Sequence, residues 1–144
     1  PNVASESEAT DGARLQRELL EWFEPTEVLA GQELWHEGDK PQQVAVLVSG
    51  TLRAEDESGA VQDADVQGCM LGEFGLMTGE RRQNTVRALT NAKLYVLSLD
   101  RWAQMQEEAP RLAFVLASVA IKYAGKRLQH VAIGANAQGQ AMPV

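Results

Sequence analysis

Apolar positions in the middle of the chain fall in short blocks, and each block ends at a glycine or a polar turn. The blocks occupy residues 27–29, 33–36, 44–48, 51–54, 61–66, 84–89 and 93–97. Many short strands at this spacing, separated by glycine turns, are typical of a β-sandwich or a β-barrel. The spacing alone does not choose between these two architectures.

Helical periodicity appears at both ends of this β-rich region. Starting at Asp11, the apolar residues Leu15, Leu19 and Trp22 recur on one face, which predicts a helix that Asp11 caps and Pro25 ends. Near the other end, Asp100 is predicted to cap a short helix over residues 101–105.

A long helix is predicted over residues 111–130, and Pro110 either closes the preceding helix or occupies the first turn of this one. Residues 112–121 are apolar nearly all round, interrupted only by Ser118. A helix that is apolar on every side has to be covered on more than one side. One face therefore packs on the β-domain, and the other needs a lid contact, a partner subunit or the rest of a parent protein.

The two ends of the chain have little that could form a core. Residues 1–10 are polar and acidic and are predicted to be a disordered linker, and residues 132–144 are predicted to be a flexible tail. The predicted domain is therefore residues 11–131. Because the sequence does not begin with methionine, we expect a piece of a longer protein.

The composition excludes several classes of protein. The net charge of −7 argues against a nucleic-acid-binding surface, which needs a basic face. Cys69 is the only cysteine, so no disulfide can form within the chain, and a reducing, cytoplasmic location is expected. The sequence contains neither a signal peptide nor an apolar run of the roughly 20 residues that span a bilayer.

The stretch from Gly72 to Ala88 contains the strongest candidate chemistry. Its glycines at 72, 75 and 79 let the backbone approach a ligand closely, and a helical turn starting after Gly72 would direct free N–H groups toward an anion. Glu73 could accept hydrogen bonds from ribose hydroxyls, and Arg82 could bind a phosphate through paired hydrogen bonds. A sugar-phosphate fits this set of groups better than other small molecules.

This stretch resembles the phosphate-binding cassette of cyclic nucleotide-binding domains, as found in catabolite activator proteins, protein kinase A regulatory subunits and gated channels. The family pattern of Gly-Glu, an apolar turn, a short loop, Arg and a β-branched strand is matched by Gly72-Glu73, residues 74–81, Arg82 and Thr85-Val86. Two small residues usually follow the arginine, whereas Gln83 and Asn84 stand there in this chain. A proline often precedes the arginine, and Arg81 takes its place.

The resemblance implies an eight-stranded jelly-roll β-barrel with an N-terminal helix and two C-terminal helices, over about residues 15–131. It implies cAMP or cGMP as the ligand, without a metal. The implied ligand-binding residues are Leu71, Gly72, Glu73, Phe74, Gly75, Arg82, Gln83, Asn84 and Thr85, and the candidate lid residues are Tyr123 and Arg127.

Within the family, the chain most resembles the C-terminal modules of sulfate permease-type anion transporters. The similarity lies in residues 75–79, 97–100, 107–113 and 126–128. It implies a module at the cytoplasmic face of a membrane, fused or bound to an effector such as an anion transporter.

Simpler interpretations exist for each feature. Glu73 and Arg82 could form an ordinary surface ion pair, Cys69 is better read as a small buried apolar residue than as a reactive thiol, and residues 36–39 suit a turn better than a metal site. No nucleophile–base arrangement is apparent, so an enzyme is not expected.

Two hypotheses remain. The first is a regulatory module that binds a cyclic nucleotide and signals through its last helix to an effector. The second is a ligand-free domain of the same fold that dimerises or docks through that helix.

Overall fold

The computed structural model describes the backbone of residues 3–137 and the side chains of residues 11–124. Within this range, helices flank a run of short strands. In chain order the elements are α1 (Val3–Leu20), β1 (Glu24–Val28), β2 (Glu33–Trp35), β3 (Gln43–Ser49), β4 (Leu52–Glu55), β5 (Val61–Ala64), β6 (Met70–Leu71), α2 (Glu73–Thr78), β7 (Thr85–Ala88), β8 (Ala92–Ser98), α3 (Leu99–Glu108) and α4 (Pro110–Ala137).

The strands form two antiparallel four-stranded sheets. One sheet has the order β1-β8-β3-β6 and the other has the order β2-β7-β4-β5. The predicted fold class, mainly β with flanking helices in a jelly-roll arrangement, is confirmed. The eight strands hydrogen-bond within two separate sheets, however, and do not close into a single barrel.

The described residues form two hydrophobic cores, one on each face of the first sheet. The core between the sheets includes Leu47, Leu52 and Leu94, each at most 2% exposed. The core between the first sheet and the helices includes Val44, Leu97 and Met105, all 0% exposed. Because alternate residues of a strand point to opposite faces, β3 and β8 supply both cores and read as nearly continuous apolar runs.

Two strands differ from the sequence prediction. β1 contains Pro25, which was expected to end the first helix; a strand accepts proline here because β1 lies at the sheet edge. β6, the pair Met70–Leu71 between Gly68 and Gly72, was not predicted at all. Two residues are too few for a periodic signal, and their pairing with Ala45 and Val46 fixes them as a strand.

The helix boundaries also differ from those predicted. α1 begins at Val3, so the backbone of residues 3–10 is helical where a linker was expected, and α4 continues to Ala137. The cap of α3 is Ser98 rather than Asp100, since the Ser98 hydroxyl accepts a hydrogen bond from Arg101 N at 3.0 Å. Pro110 is the first residue of α4.

Within residues 3–137, no helix combines the length and the apolar character that crossing a membrane requires. Residues 138–144, which complete the predicted tail, lie outside the described residues.

Candidate functional site

The short helix α2 is bounded by two glycines in the left-handed region. Gly72, with φ +83°, precedes it, and Gly79, with φ +71°, follows it and donates its N–H to Gly75 O at 2.9 Å. Gly72 is also required sterically, because a Cβ there would lie 2.5 Å from Arg82 Nη1 and 2.9 Å from the ring of Trp35. The backbone of the cassette is thus fitted closely around the arginine.

Arg82 is a buried cation, only 7% exposed. Its Nη1 donates to Gly72 O at 3.3 Å and its Nη2 donates to Gln43 O. The guanidinium carbon lies 3.7 Å from the centroid of the Trp35 ring. Among the described residues, the Arg82 Nε–H has no hydrogen-bond partner.

Burial lowers the pKa of Arg82 to about 10, because the guanidinium loses water, while the negative charges of Asp39 and Glu73 act in the opposite direction. The side chain therefore remains positively charged at neutral pH. A fixed, partly desolvated cation of this kind interacts more strongly with an anion than an exposed arginine does.

Glu73 is not the surface group of an ordinary ion pair. Its side chain is 0% exposed. Its charge acts on Arg82 and raises the pKa of that group. Glu73 in this conformation therefore supports the buried cation electrostatically.

A cavity of about 110 Å³ lies beside α2 and Arg82. Seven of the nine predicted ligand-binding residues line it, namely Leu71, Gly72, Phe74, Gly75, Arg82, Gln83 and Asn84. The exceptions are Glu73, described above, and Thr85. The Thr85 hydroxyl is buried and accepts a hydrogen bond from Glu37 N at 3.0 Å, so it joins β7 to the turn after β2.

The histidine considered as a metal ligand is part of that same turn. His36 Nδ1 lies 3.4 Å from both Glu33 Oε1 and Thr85 Oγ1. No cluster of three or more metal-ligating side chains is found in the described part of the chain.

Of the two candidate lid residues, the structure describes the side chain of Tyr123 but not that of Arg127. Tyr123 donates its hydroxyl hydrogen to Gly68 O at 3.1 Å, which ties α4 to the loop before β6. It is absent from the cavity lining in this conformation. Arg127 lies in α4, but its side chain is outside the described residues.

Sequence reasoning missed the other residues of the cavity. They come from four strands and from the loop between α2 and β7, and are Trp35, Ala54, Gln62, Ala64, Glu80, Arg81 and Val86. The strand pairings β2–β7–β4–β5 bring these segments together. Small alanines on β4 and β5 leave room for the cavity, but a small residue on a strand is too common to signal a site.

Comparison with known proteins agrees with this geometry. Residues 25–109, more than half of the chain, match the cyclic nucleotide-binding domain. The chain therefore belongs to the cyclic nucleotide-binding domain family.

Two solved structures illustrate the shared fold. A cyclic nucleotide-binding domain from Methylobacillus flagellatus is 21% identical with a TM-score of 0.69, covering 81% of this chain and 68% of its own. The catabolite activator protein of Thermus thermophilus is 18% identical with a TM-score of 0.68, covering 88% of this chain and 59% of its own.

A third relative comes from a much longer protein. Lysophospholipase NTE1 of Coccidioides immitis is 27% identical over 116 residues, which is 78% of this chain and 7% of the lysophospholipase. The chain thus spans a small fraction of this relative. The expected similarity to sulfate permease-type modules is not supported by the relatives found.

Proposed function

We propose that this domain binds a cyclic nucleotide, cAMP or cGMP, and regulates an effector in the same polypeptide or bound to it. The observation that carries the proposal is the buried, charged Arg82 in the wall of a cavity that α2 also lines. A monoanionic phosphodiester suits one fixed cation that is already partly neutralised by Glu73 and Asp39.

The phosphate would contact Arg82 and backbone N–H groups of the cassette. The predicted contact of Glu73 with the ribose 2′-hydroxyl needs a further step, because the Glu73 side chain is 0% exposed. We expect α2 to shift on binding, so that the carboxylate reaches the cavity.

A shift of α2 would be transmitted to α4. Leu76 of α2 belongs to the same core as Leu116 and Ala120 of α4, and the Tyr123–Gly68 hydrogen bond joins α4 to the loop before β6. Tightly packed elements move together, so ligand binding would displace α4 and the segment that follows it. Tyr123 and Arg127 would then be candidates to cover the base.

The domain would be regulatory and not itself an enzyme. Its match to part of a lysophospholipase favours a lipid hydrolase as the fused effector, in the cytoplasm or at the cytoplasmic face of a membrane. An anion transporter, expected from the motif resemblance, is the other candidate. Assaying the full-length parent protein for both activities with and without nucleotide would distinguish them.

Arg82→Ala tests the ligand site directly. We expect the unsubstituted domain, called the parent domain below, to bind cAMP or cGMP weakly, with a Kd of about 10 μM to 1 mM, or roughly 4–7 kcal/mol. Arg82→Ala should weaken binding by about 2–5 kcal/mol, because it removes a desolvated cation that pairs with the phosphate. Isothermal titration calorimetry with each nucleotide measures both values.

Arg101→Ala is the matched control. Arg101 also stacks on a tryptophan, 4.2 Å from the Trp22 ring, but it does not line the cavity. Its removal should leave the affinity unchanged. If Arg82→Ala binds as tightly as the parent, Arg82 is not the phosphate ligand.

The alternative is a ligand-free domain that docks or dimerises through α4. Two observations favour it. The Arg82 guanidinium is already bonded to two carbonyls, and Phe114 and Ile121 of α4 are 74% and 61% exposed. A parent domain that shows no thermal shift at millimolar nucleotide, together with dimerisation in sedimentation equilibrium, would favour this second function.

A further inference from the structure

The ring of Trp35 stacks on the guanidinium of Arg82. Trp35 is the last residue of β2, where the pairing with β7 shifts register between Glu33 and Trp35. Such an irregularity redirects the side chains around it. The indole consequently lies under the guanidinium, 3.7 Å from ring centroid to guanidinium carbon, and its edge reaches Gly72.

Stacking differs from an ion pair in what it leaves available. An aromatic face attracts a cation without accepting its in-plane hydrogen bonds, so the five N–H groups of a guanidinium remain available at its edge. In Arg82, Nη1 and Nη2 each contact a backbone carbonyl, and the buried Nε–H has no partner among the described residues. Trp35 thus holds the charge in place while a donor stays unused.

Trp35 and Arg82, like Arg81, contribute to the linings of two cavities. Both line the cavity beside α2, and both line a second cavity on the side of Asp39, Lys40 and Gln42. With a smaller side chain at position 35, the guanidinium could move toward the Asp39 side, away from α2.

We propose that Trp35 is a positioning residue, which holds the Arg82 guanidinium at the α2 cavity so that its edge can meet a phosphate. This inference rests on the proposed function. It assigns to Trp35 a role that acts through Arg82, and it does not require Trp35 to touch the ligand.

The test compares Trp35→Leu, Trp35→Phe and Trp22→Leu in titrations with cAMP and cGMP. Trp35→Leu should weaken binding about 5- to 30-fold, the range expected for losing a desolvated cation–π contact. Trp35→Phe keeps an aromatic face and should stay within about threefold of the parent. Trp22→Leu removes the other tryptophan–arginine stack, which lies away from the cavity, and should leave affinity unchanged.

A role in packing alone is separated by repeating Trp35→Leu in the Arg82→Ala background. There the substitution should cause no further loss of affinity, because the group it positions is gone. A further loss of the same size, or a Trp35→Phe variant as weak as Trp35→Leu, would overturn the proposal.

Urea unfolding provides a readout without ligand. It compares the unsubstituted domain, Trp35→Leu, Arg82→Ala and the double variant that carries both substitutions. The unfolding equilibrium constant of the double variant should differ by about three- to thirtyfold from the value expected if the effects of Trp35→Leu and Arg82→Ala were independent. Additive effects would overturn the positioning role. A parent domain that binds neither nucleotide would instead overturn the proposed function, and the urea cycle would still decide whether Trp35 holds Arg82.

Discussion

The cassette around α2 and the outer face of α4 reverse the usual distribution of polar and apolar groups in opposite ways. In the cassette, two ionisable side chains are removed from water, with Glu73 0% and Arg82 7% exposed. On α4, two large apolar side chains face solvent, with Phe114 74% and Ile121 61% exposed. Each arrangement is unfavourable by itself, and each therefore points to a function.

The two regions differ in how far contacts within the domain offset the unfavourable arrangement. The buried cation has internal compensation from two carbonyls, an aromatic ring and two nearby negative charges. Within the described part of the chain, Phe114 and Ile121 remain mostly exposed. We infer that the cassette holds its buried charge without help from another surface, whereas the α4 face depends on one.

The steric fit of the cassette is tested by Gly72→Ala. The new Cβ would lie 2.5 Å from Arg82 Nη1 and 2.9 Å from the Trp35 ring, on a backbone with φ +83°. Strain of about 1–2 kcal/mol and overpacking of about 1–3 kcal/mol should together lower the free energy of unfolding by about 2–5 kcal/mol. Displacement of Arg82 should also reduce nucleotide affinity more than tenfold by calorimetry.

Gly79→Ala is the control for backbone strain alone. Gly79 has φ +71°, and a Cβ there would meet no atom within 4 Å. This variant should lose only about 1–2 kcal/mol in urea unfolding and should bind nucleotide like the parent. Equal losses in the two variants would show that Arg82 and Trp35 do not restrict this site.

Sequence reasoning succeeded where the signal is local. The family resemblance carried by Glu73, Arg82 and the neighbouring glycines is confirmed at the level of the domain, and short apolar blocks between turns predicted most strands. Seven of the nine expected residues line one cavity because they lie within a single stretch, residues 71–84. Their order along the chain therefore nearly determines their place in space.

The sequence could not predict contacts between distant segments. Trp35 is 47 positions before Arg82, and only the β2–β7 pairing brings them together. The burial of Glu73 was also missed, because a carboxylate next to glycine suggests a surface turn. That side chain becomes buried because α2 packs, through Leu76, against the core between the first sheet and the helices.

The two faces of α4 are compared by Leu116→Ala and Phe114→Ala. Leu116 is 3% exposed and lies in the core between the first sheet and the helices, so its truncation should lower the free energy of unfolding by roughly 2–4 kcal/mol. Phe114 is two positions away and 74% exposed, so its truncation should change stability by less than about 0.5 kcal/mol in dilute protein.

The second half of that comparison concerns self-association. If a second copy covers the α4 face, Phe114→Ala should weaken a dimer in sedimentation equilibrium while the dilute-protein stability stays the same. A loss near 2 kcal/mol in dilute Phe114→Ala would mean that the outer face of α4 is already packed within the monomer.

The smallest expected effect is at the two residues after Arg82. Gln83 and Asn84 both line the cavity, where the family pattern has small residues that let the strand backbone approach the phosphate. Replacing both with alanine should tighten cyclic nucleotide binding by about 1 kcal/mol, or roughly fivefold, because steric obstruction is removed.

Gln62→Ala is the control, since Gln62 contributes an amide to the same cavity from β5. It should have no effect, because the gain comes from freeing the backbone near the phosphate and not from a larger cavity. Weaker binding by the Gln83→Ala, Asn84→Ala double variant would mean that these amides donate hydrogen bonds to the phosphate and replace the backbone contacts of the family.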